Sequence, residues 1–316
     1  MTRRFLFSCM RNEAAYALEW IAYHRLIGFD HIVICTNDCD DNTPDLLDAL
    51  AAIGWVTHIP NPTPEGVAPQ LHASSRIGER TPWIDGDWVM WLDTDEYLNI
   101  HLGTGHLDDL IPKVQGSDGY AVHWRLFGEG TQSGWSDAPV IQRFYRTGAP
   151  GEQLHQPVKT LFRWSPSIDA LHTHRPTLRP SFRETGRHWS HGTGEPVPEQ
   201  FYYTRLYRDA SPALRLPLIA SQYAWAQVNH YAVRSRVEYM LKAKRGSGLY
   251  DKRHTEEYWK LYNLNDAEDR SIQRHVSEVE MQMAEAFMSP AVHLEHTRAV
   301  ERMASLTGNA EGDERR

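Results

Sequence analysis

Asp93-Thr94-Asp95 follows the apolar run Trp88-Val89-Met90-Trp91-Leu92. In extended chain, side chains two residues apart point to the same side, so these carboxylates can together hold one hard divalent cation, directly or through water. Such a cation can clamp a diphosphate and neutralise charge on a departing phosphate. Two further Asp-x-Asp pairs occur, Asp38-Cys39-Asp40 and Asp85-Gly86-Asp87. The glycine in the second pair marks a surface turn before the apolar run. The first continues into Asn42-Thr43-Pro44, a helix start, and local capping accounts for part of it. A pattern this short arises by chance, so a solvated turn is the competing reading of Asp93 and Asp95.

The elements that must position this pair alternate in type. Arg4 to Ser8 and the β-branched run His31 to Cys35 predict buried strands, followed by Trp55 to Ile59 and Trp88 to Leu92. Between them, Glu13 to Ile27 carries apolar residues at helical spacing, with Asn12 as expected N-cap and Gly28 at its C-terminal end. Thr43-Pro44 predicts an N-cap with Pro at the first helical position of a second helix that ends at Gly54. Pro69 to Arg80 predicts a third, after the Pro- and Gly-rich loop 61–66. Strands alternating with helices imply a parallel sheet with right-handed crossovers. Ligands then bind beyond the carboxyl ends of the strands. Those ends are Cys9 to Glu13, Thr36 to Asp41 and Asp93 to Glu96, and polar and acidic groups cluster at all three.

From about 120 to 230 the chain is rich in Trp, His, Pro and Gly. Short strands are expected at Tyr120 to Leu126, Val140 to Arg146 and Thr160 to Trp164, within long loops that build a substrate pocket. Beyond Arg234 the pattern is helical, and residues 307–316 are polar and expected to fray.

Composition narrows the class. With 316 residues and 41% hydrophobic content, the chain is neither disordered nor a disulfide-stapled miniprotein. A formal net charge of −8 argues against a general nucleic-acid binder. Cys9, Cys35 and Cys39 form no disulfide framework and lack a second pair at zinc spacing. The N-terminus has no signal-peptide pattern and no stretch approaches a membrane span, so a cytoplasmic protein is expected, with peripheral contact at the inner face of the membrane left open.

Several blocks together resemble a known family. Arg11-Asn12-Glu13, Glu19-Trp20-Ile21-Ala22-Tyr23-His24, Gly28-Phe29-Asp30-His31 and Asn37-Asp38-x-Asp40-Asp41-x-Thr43 are similar to the start of the glycosyltransferase family 2-like proteins and the related family 92. Trp91-Leu92-Asp93-Thr94-Asp95-Glu96-Tyr97-Leu98 resembles their Asp-x-Asp-Glu-Phe-Leu block, and Trp124 to Gly128 and Arg143-Phe144 resemble their middle blocks. Asn229-His230-Tyr231, Arg234-Ser235, Glu238-Tyr239, Lys242 and Arg245-Gly246 resemble their His-Tyr, Lys-Ser and Lys-x-x-Arg-Gly positions. The blocks run in order over roughly residues 4 to 250, with Arg234 where the family usually has Lys and Tyr97 where it has Phe.

The resemblance implies an α/β GT-A fold, with a mostly parallel sheet flanked by helices, an irregular acceptor-side region and a C-terminal helical segment. It implies transfer of a sugar, with inversion, from a UDP- or GDP-sugar donor to a glycan or other hydroxyl acceptor, as in surface polysaccharide synthesis. The cofactor would be Mn2+ or Mg2+. Residues 1–250 would form the transferase domain, divided near residue 100 into nucleotide-binding and acceptor-side halves. Residues 251–306 would be a helical extension and 307–316 a flexible tail.

Within that frame Asp95 is expected on the metal, Asp93 on the metal or on the donor ribose and sugar, and Glu96 in support of the loop. His230 would complete the coordination, and its imidazole suits manganese better than magnesium. Arg11, Asn12, Glu13, Asn37 and Asp38 are candidates for the nucleotide, with helix capping by Asn12 and an Asx-turn at Asn37 as alternatives. Gln70 is a further donor contact, and Arg234, Lys242 and Arg245 would bind the diphosphate. An inverting transfer needs a base at the acceptor hydroxyl. Glu129 leads, followed by Asp137, with Glu152, Asp169, His172 and His174 as alternatives. Trp124, Trp135, Trp164 and Trp189 could stack on sugar faces or belong to the core. Two rivals remain: a nucleotidyltransferase, although Met10-Arg11-Asn12-Glu13 lacks the usual glycine, and a non-catalytic nucleotide-sugar or glycan-binding protein.

Overall fold

The computed structural model describes residues 2–132, 134–179, 188–197, 222–245 and 255–314. The predicted alternation is present as β1 (Arg4–Met10), α1 (Ala14–Leu26), β2 (His31–Thr36), α2 (Thr43–Ala52), β3 (Thr57–Pro60), α3 (Pro69–Arg80) and β4 (Trp88–Trp91). There follow β5 (Glu96–Ile100), α4 (Leu107–Val114), β6 (Gly119–Leu126), α5 (Val140–Arg143), β7 (Arg146–Thr147) and β8 (Val158–Arg163). Then come β9 (Ile168–Ala170), β10 (Thr177–Leu178), β11 (Trp189–His191), β12 (Glu195–Pro196) and β13 (Ala226–His230). The described chain ends with α6 (Arg236–Arg245), α7 (Glu256–Tyr262), β14 (Ala267–Glu268), α8 (Val276–Ala286) and α9 (Pro290–Glu314).

The fold is α/β, with a largely parallel central sheet flanked by helices. Among the described residues the sheet runs β12-β11-β6-β8-β4-β1-β2-β3. All of these strands point one way except β8 and β12. Its strands are apolar on both faces because both are covered. In β1, Leu6 and Met10 face one core cluster while Phe5 and Phe7 face the other. β2 divides the same way, Ile32 and Ile34 against Val33 and Cys35. Each such side chain contributes about 1.5–3 kcal/mol by burial.

On one face α1 lies between the sheet and the C-terminal helices. It is therefore buried almost all round, Trp20, Ile21, Ala22 and Tyr23 completely. α8 packs on α1, and α9 packs on α1, α2 and α6. Ile272, Val279, Ala286 and Val292 join the same core as β1, so the chain from Ile272 to Val292 is built into this layer. The backbone of α9 stays helical to Glu314, through the stretch expected to fray.

Three local expectations are corrected. Val140 to Arg146 is not one strand: after Pro139, Val140–Arg143 makes the helical turn α5, and only Arg146 enters the short strand β7. The buried carboxylate of Glu19 accepts from the Val140 and Ile141 amides at 2.8 and 3.1 Å, occupying donors a strand would have offered to a neighbour. Asn12 does not cap α1. It sits at φ +55° and its side chain binds Asp40, while Asp41 and Thr43 accept from the amides of Ala14 and Glu13. Thr43 lies inside α2, whose N-cap is Asn42. By contrast, Gly28 closes α1 at φ +106°, a backbone conformation that glycine adopts without a Cβ penalty. Asp85-Gly86-Asp87 is a turn, where Asp87 takes the Arg3 guanidinium.

Candidate active site

β4 ends at Trp91 and β5 begins at Glu96. Asp93 to Glu96 is a tight turn, closed by the Glu96 amide donating to the Asp93 carbonyl at 2.9 Å. The extended geometry expected of Asp93-x-Asp95 is therefore absent, and the two carboxylates have separate partners. Asp93 accepts from Gln70 Nε2 and Lys159 Nζ, each at 2.9 Å. Lys159 also reaches Glu96 at 2.8 Å, and the Glu96 carboxylate accepts from the Asp93 amide at 2.8 Å. Trp20 Nε1 donates to the carbonyls of Asp93 and Glu96, pinning the turn to α1. Glu96 thus braces the loop.

Lys159 and Glu96 are both fully buried. Burial raises the Glu96 carboxyl to about 8, against the pull of Lys159. For Lys159 burial acts downward, and the carboxylates of Asp93 and Glu96 outweigh it and raise its pKa.

Asp95 faces other partners. Lys242 Nζ is 2.5 Å from Asp95 Oδ2 and His230 Nε2 is 3.6 Å from the same oxygen. Burial acts to raise this carboxyl, yet Lys242, His230 and Arg234 together hold it well below the usual carboxylate range. β13 delivers His230: it pairs with β5, placing His230 opposite Glu96, and the Tyr231 amide donates to the Asp95 carbonyl at 2.8 Å. The chain then turns through Arg234, at φ +54°, into α6. Glu238 fixes that corner by accepting from the Ser235 amide and by a bidentate pair with Arg143. Arg234 lies 3.5 Å over the Tyr16 ring and 3.7 Å from Glu13, and approaches the Thr94 carbonyl. Burial acts to lower its guanidinium, but Tyr16, Glu13 and Asp95 raise it. The structure therefore brings Asp95, His230, Arg234 and Lys242 to one point.

The donor chemistry fits a divalent cation only in part. Asp95 and His230 offer a carboxylate oxygen and an imidazole nitrogen side by side, a borderline pair. Asp93 stands apart from them in this arrangement, its oxygens bonded to Gln70 and Lys159. Among the described residues no three His, Cys, Asp or Glu side chains converge as a ligand group. Cations of this class are often held by one or two carboxylates plus substrate phosphates and water. Asp95 with His230 meets that lesser demand.

The first two strand ends are laced together. Arg11 donates to the Asp38 carbonyl at 3.1 Å, Asn12 binds Asp40, and Asn37 accepts from Cys9 Sγ. Asn12, Asp40, Arg234 and Lys242 also line a cavity of about 290 Å3, walled on the far side by α9. Arg245 ends α6, and its side chain, like Gly246, lies outside the described residues.

The base candidates separate. Glu129 lies three residues beyond β6, whose last residue, Leu126, pairs with His230. Its carboxylate accepts from Asn263 at 3.0 Å. His174 is buried beside Trp124, whose ring is 4.3 Å from that of His230. Asp137 is exposed, lines a small pocket with Tyr16 and Arg143, and its charge acts on His296 of α9. Glu152 accepts from the Leu154 amide, and Asp169 pairs with Arg179. Burial lowers His172 to about 4. Of the tryptophans singled out, Trp164 stacks on Trp83 and Trp189 on Phe162, while Trp135 lines a small pocket against α1. Only Trp124 borders His230.

Sequence reasoning missed Lys159. The available signal was a lysine inside the apolar strand Val158-Lys159-Thr160-Leu161-Phe162, a position that demands an anionic partner. Tyr16 and Trp20 were also missed, since nothing in a helical pattern distinguishes a ring that supports a loop from one that fills a core.

No protein-family model and no curated protein matches the sequence. Among solved structures, the chain is similar to S. aureus TarS 1–349, at 13% identity and a TM-score of 0.34, over 99% of this chain and 92% of that one. The complex of that fragment with UDP-GlcNAc gives 12% and 0.35 over the same shares. HddC from Yersinia pseudotuberculosis gives 10% and 0.32, over 78% of this chain and 99% of that one. Against the longer S. aureus TarS chain the match covers 64% of this chain and 31% of that one, so this chain spans about a third of that length.

Proposed function

We propose that this protein is a glycosyltransferase that moves a sugar from a nucleotide diphosphate donor to a hydroxyl acceptor with inversion. The observation that carries the reading is the meeting of Asp95, His230, Arg234 and Lys242, from three separate segments, at the carboxyl edge of a parallel sheet. These are the positions at which the sequence resembles family 2-like and family 92 transferases.

In this reading the nucleoside rests on the loops after β1 and β2, near Arg11, Asn12, Glu13, Asn37 and Asp38. Asp93, oriented by Gln70 and Lys159, meets donor ribose or sugar hydroxyls. Asp95 and His230 would hold a divalent cation, Mn2+ suiting the imidazole, which supplies positive charge to the departing diphosphate. Lys242 and Arg234 add positive charge on the same side, where charge develops as the glycosidic bond breaks. The acceptor hydroxyl attacks the anomeric carbon from the opposite face and loses its proton to a base, for which Glu129 is the candidate. The acceptor is a glycan or another polyhydroxylated molecule.

A thermal-shift panel of UDP, GDP and their sugars, with and without Mn2+, tests this. Ligand at 100 times its Kd adds about 2.7 kcal/mol, a rise of about 4 °C for a chain of 316 residues. Absence of a shift with every nucleotide diphosphate would overturn the donor reading.

A further inference from the structure

Two lysines neutralise the carboxylates of this site, and they are built differently. Lys159 is fully buried on β8, locked between Asp93 and Glu96. Lys242 projects from α6, and its side chain keeps 14% exposure. Its ammonium touches Asp95 and the Ala232 carbonyl, while its stem borders the cavity of about 290 Å3 beside Arg234. The oxygen it occupies is the one His230 faces. An ammonium and a dication cannot share that oxygen, since two like charges at such separation repel strongly in a part-buried site. A diphosphate arriving at the cavity offers the ammonium a second anion, and the cavity gives it room to turn.

We propose that Lys242 is a displaceable counter-ion of Asp95, seated where a divalent cation would bind and drawn off by the donor diphosphate, so that cation and nucleotide load as a pair. This rests on the donor reading above. It makes Lys242 a positioning residue with opposite effects on two ligands: it weakens binding of the cation alone and strengthens binding of the nucleotide alone. By linkage the two ligands then favour each other through the protein.

The test measures free Mn2+ by electron paramagnetic resonance in titrations of the whole chain without nucleotide, and UDP or GDP binding by calorimetry in EDTA. Lys242→Met should bind Mn2+ alone roughly 5- to 150-fold more tightly than wild type, the usual range of such couplings, and bind nucleotide in EDTA more weakly. Lys242→Arg, which keeps the charge, should bind Mn2+ as weakly as wild type. Adding Asp95→Asn to Lys242→Met should remove the gain, placing it at Asp95. Lys242→Gln provides a second neutral variant should the methionine variant fold poorly. Neutral variants that bind nucleotide yet bind Mn2+ no better than wild type overturn the counter-ion and leave the donor reading standing. A wild-type protein that binds no nucleotide diphosphate under any condition overturns the donor reading instead.

Discussion

Replacing Lys159 by Met tests whether the Asp93–Glu96 turn is held by charge. Its ammonium is 2.9 Å from Asp93 and 2.8 Å from Glu96. At an effective dielectric of about 20 the charged contact with Asp93 is worth about 6 kcal/mol gross. Desolvation of the ions takes back most of it, and breaking a buried pair by removing one partner usually costs about 3–5 kcal/mol. The lower end is expected here. Burial already raises Glu96 to about 8, so without Lys159 it stays protonated, and Asp93 is partly exposed and keeps Gln70. A loss of about 3 kcal/mol lowers Tm by about 4–5 °C for 316 residues, at about 2.1 cal/mol/K per residue. Differential scanning calorimetry reads this directly. Adding Glu96→Gln should restore more than half of the loss, because glutamine is buried without the proton that Glu96 must take up on folding at neutral pH. The pH course supplies a second check. A carboxyl whose folded pKa is raised contributes stability at low pH that is lost as pH rises through the folded value. In wild type that loss ends near pH 8, whereas in Lys159→Met it continues, so the deficit widens above pH 8. A Tm change below 1 °C, or no rescue by Glu96→Gln, would refute the reasoning.

Three other outcomes follow from the site. Asp95→Asn should abolish Mn2+-dependent nucleotide binding by calorimetry; an unaltered titration removes Asp95 from the site. Glu129→Gln should lower kcat for sugar transfer by about 100-fold or more with donor KM little changed, and an equal kcat discards Glu129 as base. Stability should fall on acidification. Burial lowers His24 and His123 to about 3 and His155, His172 and His296 to about 4. Below about pH 6.5 the unfolded chain takes up protons these rings refuse, so their contribution, full above pH 6.5, declines by about 2 kcal/mol each at pH 5. Glu96 acts oppositely by about 3 kcal/mol, which the five histidines outweigh. A urea midpoint unchanged between pH 7.5 and pH 5 would contradict this.

The same histidines show why a residue count says little. A seventeen-histidine chain suggests ligands or acid–base groups, yet several rings are buried partners of backbone and aromatic neighbours. His24 binds the Trp20 carbonyl and packs edge-on to Tyr23, and among the described residues only His230 reaches Asp95.

The sequence by itself determined the architecture of the N-terminal third. Apolar runs and helical spacing are local signals, so β1 to β4 and the helices between them were legible, and with them the edge where polar strand ends gather. Glu96 as a brace of its loop was legible too. What only the tertiary structure decided was where each carboxylate points. Asp93 and Asp95 look equivalent as letters, but a backbone bond from Glu96 to Asp93 turns them apart. Lys159, distant in sequence, claims one, and Lys242, from α6, claims the other. Charge pairing across such separations is fixed by the packing of β8, β13 and α6 against the turn, and no periodicity along the chain encodes it.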